Sequence, residues 1–110
     1  MKIKQITSDG ITFDNGMEIS HNHEQDCCEN VYADWESLKT EAGVMEHNFT
    51  EDLKIEGVPE SGFRLDGFFV ACYNSQNGYY SSDLELVIKY PDKRTKKHID
   101  ISDWVLDQID

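Results

Sequence analysis

Phe63-Arg64-Leu65-Asp66-Gly67-Phe68-Phe69-Val70-Ala71-Cys72-Tyr73-Asn74 is apolar on both alternating sets of positions. Phe63, Leu65, Phe69, Ala71 and Tyr73 fall on one set, and Phe68, Val70 and Cys72 on the other. A half-buried strand alternates, whereas a strand covered on both faces does not. The stretch therefore predicts one long central strand. Asn77-Gly78 follows it, and a two-residue turn there would pair Phe69 with Leu86 and Ala71 with Leu84. The returning strand would turn Leu84, Leu86 and Ile88 inward and Glu85 and Lys89 outward.

Working towards the N-terminus, Leu53, Ile55 and Val58 suggest a strand that stops before Pro59. Val31, Trp35, Leu38 and Ala42 fall at i, i+4, i+7 and i+11, with Gly43 placed as a C-terminal cap, which predicts a helix. At the start of the chain, Ile11 and Phe13 alternate, as do Met17 and Ile19. A three-residue Asp14-Asn15-Gly16 loop pairs Phe13 with Met17 and Ile11 with Ile19 on one face, with Gly16 left-handed. His21 and His23 continue that face. Towards the C-terminus, Pro91-Asp92 opens a basic loop and Ile99 and Ile101 suggest a last strand. Ser102 or Asp103 would cap a short helix through Trp104, Val105 and Ile109. The expected fold is α+β: an antiparallel sheet of five or six strands with one packed helix and a short C-terminal helix, residues 1–110 forming one domain.

Composition limits the function. The 110 residues carry 10 basic and 22 acidic side chains, a formal net charge of −12. Nucleic acid and anionic membranes would be repelled. Residues 14–60 hold most of the acids, with only Lys39 and Lys54 as bases. Such a surface suits a basic protein partner, and an extended acidic face can occupy a groove that normally holds nucleic acid. Asp34, Glu36 and Glu41 on the outside of the expected helix are the candidate partner contacts. No apolar run approaches transmembrane length and no signal-peptide core follows Met1, so the expected location is the cytoplasm, where a disulfide framework is not expected.

One segment concentrates possible chemistry: His21-Asn22-His23-Glu24-Gln25-Asp26-Cys27-Cys28-Glu29. Imidazole and thiolate are ligands that zinc selects. His21, His23, Cys27 and Cys28 are the candidate set for a structural Zn²⁺. If one cysteine is instead buried as a small hydrophobe, Asp26, His47 or Cys72 supplies the missing ligand. Cys27 or Cys28 with His23 would make a nucleophile and base, and Glu24 or Glu29 a base beside a hydrolytic zinc. No Gly-rich oxyanion loop, third triad member or H-E-x-x-H motif accompanies them, so no enzyme activity is expected. The alternatives to a binding protein are a metal-binding or thiol redox domain, or a phage accessory protein.

The run from His23 to Glu29, with Val31-Tyr32 and an acidic stretch after it and Ser75-Gln76-Asn77-Gly78-Tyr79-Tyr80-Ser81 later, resembles a family of small phage and bacterial domains of unknown function. Those domains carry an H-x-x-D-C-C-E segment after a hairpin and an S-N-G-Y-Y-S-like turn between two late strands. More loosely, the chain is similar to small zinc-containing anti-CRISPR proteins that inhibit Cas9. That resemblance implies a phage-encoded inhibitor acting in the host cytoplasm, with Cas9 as the basic partner.

Overall fold

The computed structural model describes residues 1–22, 29–76, 83–92 and 94–109. Among the described residues ten strands follow one another: β1 Ile3–Ile6, β2 Gly10–Phe13, β3 Glu18–Asn22, β4 Glu29–Ala33, β5 Ile55–Val58, β6 Gly62–Leu65, β7 Phe68–Gln76, β8 Glu85–Lys89, β9 Lys96–Asp100 and β10 Leu106–Ile109. They form two five-stranded sheets. The first is antiparallel in the order β1-β2-β3-β8-β9. The second is built around β7, which pairs antiparallel with β6 and β4 and parallel with β10, while β5 pairs with β6.

The α+β expectation is corrected to a two-sheet β fold whose helical parts, among the described residues, are short 3-10 segments. The expected helix from Val31 to Ala42 combines two shorter patterns. Val31 and Ala33 alternate on β4 and are both buried. Trp35 and Leu38 then lie three apart in a 3-10 helix, Trp35–Thr40, and both are fully buried. Three residues per turn put i and i+3 on one side. Ala42 is exposed. The expected C-terminal helix is likewise a single 3-10 turn, Ser102–Trp104, followed by β10. Ser102 is held from outside the turn, its N–H and hydroxyl both donating to Asp100 Oδ1 at 3.1 and 2.6 Å.

The long central strand is also corrected. Asp66 (φ 49°) and Gly67 (φ 89°) make a two-residue turn, and Phe63 pairs with Val70 across it. Positive φ at both central residues matches the right-handed twist of a tight hairpin, and Asp-Gly tolerates it. Nor does β7 pair with β8: Arg64 lies opposite Phe69 and Gly62 opposite Ala71, whereas Leu86 lies between His21 and Ile99. The reason is edge occupancy. Cys72 N–H donates to Ser61 O and Asp34 N–H donates to Ala71 O. Successive residues point their amides to opposite edges, so β6 and β4 flank β7 on both sides. β10 continues the edge that β6 occupies, leaving β8 no place in that sheet. The turn expected at Asn77-Gly78 falls outside the described residues.

Other expectations hold. Ile11 pairs with Ile19, Phe13 N–H donates to Met17 O at 2.8 Å, and Gly16 has φ 92°. β5 ends at Val58. Leu84, Leu86 and Ile88 are buried, while Glu85 and Lys89 are partly exposed.

The inward faces of both sheets share one hydrophobic cluster. It includes Ile11, Phe13, Met17, Ile19 and Leu86 from the first and Val31, Phe63, Leu65, Val70 and Cys72 from the second. The 34–54 connection joins it through Trp35, Leu38, Val44 and Phe49. The N-terminal ammonium fastens this connection by donating to Asn48 Oδ1 and Phe49 O, both at 2.8 Å. No helix among the described residues is long and apolar enough to cross a membrane.

Candidate functional site

Both unusual segments of the sequence begin and end at one end of the two sheets. β3 finishes at Asn22, which pairs with Glu85 at the start of β8. β4 starts at Glu29, which pairs with Gln76 at the end of β7. Residues 23–28 therefore lead from the first sheet to the second, and 77–82 lead back, between anchors that are already paired. Ile109, ending β10, lies beside Gln76 as well. His23, Asp26, Cys27 and Cys28 belong to the first connection, Tyr79 and Tyr80 to the second. All six lie outside the described residues, as do Glu24 and Lys93.

His21 is described, and its geometry is informative. It continues the inward face of β3, and the Nε1–H of the fully buried Trp35 donates to its Nδ1 at 2.7 Å. The rings stack with centroids 6.3 Å apart and planes 17° apart. An indole N–H can only donate, so Nδ1 must bring a lone pair. Neutral imidazole has one such lone pair, and its proton then sits on Nε2. A zinc-bound histidine normally does the reverse, donating its second N–H to an oxygen acceptor. In this arrangement His21 serves as the acceptor that satisfies a buried indole. Ligating a metal would require the Trp35 bond to break.

On the second sheet, the inward file of β7 changes character along its length. Val70 and Cys72 are fully buried, and Asn74, equally buried, follows them towards the connections. Asn74 pairs with Val31 on β4. The apolar interior thus acquires polar groups on both sheets at the end where the two connections start.

The alternative ligands are placed elsewhere. Burial pushes the Cys72 thiol up to about 12, so it offers no ready thiolate. His47 Nε2 lies 3.1 Å from Asp66 Oδ2, its ring against Phe49 and Phe68 at 4.5 and 5.2 Å. This pair sits at the β6–β7 turn, roughly 20 Å along β7 from Asn74 at about 3.3 Å per residue. Among the described residues, no three His, Cys, Asp or Glu side chains are grouped to hold a metal ion.

Of the candidate partner contacts, Asp34 lies between β4 and the 3-10 helix and is half-buried, Glu36 is exposed, and Glu41, just past the 3-10 helix, is half-buried. Asp34 O accepts from the Ser37 hydroxyl at 2.7 Å. They occupy one short stretch, though not the helix face expected of them.

Two further groupings had no signal in the sequence because strand register creates them. Glu85 Oε1 accepts from Asn22 Nδ2 at 3.3 Å and lies 3.0 Å from His98 Nδ1. The His98 hydrogen bond, and then the Asn22 one, hold the Glu85 carboxyl below its usual value. On the outward face of the second sheet, Tyr32 lies opposite Tyr73, with ring centroids 5.6 Å apart. Comparison with known proteins finds no matching family model, no matching curated protein and no matching solved structure.

Proposed function

We propose that the chain is a non-enzymatic counter-defence protein of the anti-CRISPR kind, binding and inhibiting a basic nucleic-acid-handling protein through its acidic surface, with Cas9 the favoured partner. The net charge of −12 carries this reading. Glu36, Glu46, Glu51, Asp52, Glu56 and Glu60 are all exposed along the 34–60 stretch, so the charge faces outward. The resemblance of the His23–Glu29 run to small phage domains supports the same class. A zinc ion held by His23, Cys27 and Cys28 would tie the first connection to the ends of β3 and β4. His21 would meanwhile keep its bond to Trp35.

Association with Cas9 should be steered electrostatically and slow steeply as salt screens it. Charge reversal of Asp34, Glu36 and Glu41 should slow it further without unfolding the protein. A flat salt dependence, with the triple reversal binding like wild type, would leave the acidity as a solubility device and remove the reading. Elemental analysis should find about one zinc per chain, and chelation should lower the melting temperature, because a structural zinc contributes folding free energy. Equal melting of the chelated and untreated proteins would exclude the staple.

A further inference from the structure

We propose that the outward face of the second sheet is where the basic partner docks, and that it takes an arginine-bearing segment of that partner. The inference rests on the acidic-surface reading and names the place and chemistry of contact. In the β10–β7–β4 register, Leu106, Tyr73 and Tyr32 form one row across three strands. Ala71 and Phe69 continue it along β7, opposite Gly62 and Arg64. Leu106 is 40% exposed, and Tyr32, Tyr73, Phe69 and Ala71 are half-buried. The other face of β4, β6 and β7 already supplies the core, so this row is apolar surface beyond what packing needs.

Carboxylates border it. Asp34 lies opposite Ala71, with its N–H on Ala71 O. The Tyr32 phenol is held above its usual value of 10.0 by burial first, then by the Asp34 charge and by Tyr73. Glu56 stands in the row of Arg64, and the exposed residues Glu60 and Asp103 are joined through their backbones, Glu60 N–H donating to Asp103 O at 3.1 Å. Of the described residues in these strands and their turns, Arg64 stands opposite Phe69, and Lys54 is taken up by Glu56 at 3.1 Å.

Aromatic faces rimmed by carboxylates select among partners. A second copy of the chain would bring another −12, and a phosphate backbone or anionic membrane would be repelled. A guanidinium can stack flat on a tyrosine ring while its edge N–H groups reach a carboxylate in bidentate fashion. A lysine ammonium is more strongly hydrated and does not stack. Tyrosine and arginine are also the residue types that dominate binding energy at protein interfaces.

The test uses two nine-residue peptides alternating glycine with either arginine or lysine, equal in charge, titrated into the isotope-labelled protein. The arginine peptide should bind about three- to tenfold tighter than the lysine peptide. Its shift changes should centre on Tyr32, Phe69, Tyr73 and Leu106. Tyr32→Leu with Tyr73→Leu should reduce arginine binding to the lysine level, whereas the corresponding Phe pair, which keeps the rings, should retain most of it. Equal binding of both peptides, with shifts gathered at Glu36–Asp52, would overturn the proposal while leaving the acidic-surface reading standing. Failure of both peptides to bind would overturn the two together. The shift map of the unaltered protein decides the matter even if the Leu pair does not fold.

Discussion

Replacing His21 by Phe should cost stability without costing zinc. The ring stack on Trp35 is retained, but the indole N–H, within a fully buried residue, loses the Nδ1 acceptor at 2.7 Å. A buried donor left unmade costs about 1–3 kcal/mol. For a chain of this length each kcal/mol moves the melting temperature by roughly 4 °C, so a fall of roughly 4–12 °C is expected. Trp35→Phe removes the donor, and in that background His21→Phe should cost little. Urea unfolding of the two single variants and the double variant gives the coupling, expected at about 1 kcal/mol or more. Zinc is counted on the same preparations. Additivity within about 0.4 kcal/mol would mean that no such bond stabilises the fold. Loss of zinc from His21→Phe but not from Trp35→Phe would make His21 a ligand and refute the lone-pair argument.

Cys72 should resist iodoacetamide at about pH 8 in the native protein and react on unfolding, because a shift from 9.0 to about 12 leaves about a thousandfold less thiolate; mass spectrometry of labelled peptides checks this. Asp66→Ala should cost roughly 2–3 kcal/mol, combining a left-handed residue with the lost Lys54 N–H bond at 3.0 Å, whereas Asp66→Asn, which keeps both features, should cost less than about 1 kcal/mol by urea denaturation. The Glu85 carboxyl lies below its usual 4.5 in the folded protein, chiefly through His98. Its contribution is therefore complete above that value and is lost as the pH falls through the lower folded one. The urea midpoint should accordingly drop less between about pH 5 and 3 in Glu85→Gln than in wild type.

Local signals in the sequence translated well where a turn and its flanking alternation agreed, as at Phe13 to Met17. They failed where one pattern imitated another. Val31 and Ala33, on a strand, followed by Trp35 and Leu38, on a 3-10 turn, reproduce the spacing of an amphipathic helix. The Asp66-Gly67 dipeptide is a strong hairpin signal, yet continuous apolarity on either side reads as one strand because β6 and β7 both face the same core. Whether Asn77-Gly78 joins strands of one sheet depended on which edges of β7 were already taken, and that is settled by residues far away in the chain. In the candidate site, the inward position of His21 could be read from alternation. Its role could not, because Trp35 reaches it from a different element.

The pairing of β3 with β8 also dictates a timetable. Asn22 waits for Glu85, which is made 63 residues later. At about 5–20 residues per second, the edge of β3 stays open on the ribosome for roughly 3–13 s. The β1–β3 meander cannot complete its sheet in that time, and loop-closure entropy keeps the eventual pairing slow. A ribosome stalled before β8 would hold a three-stranded sheet with an unpaired inner edge. That nascent chain should be a better substrate for chaperones and proteases than either the finished protein or the short hairpin that precedes it.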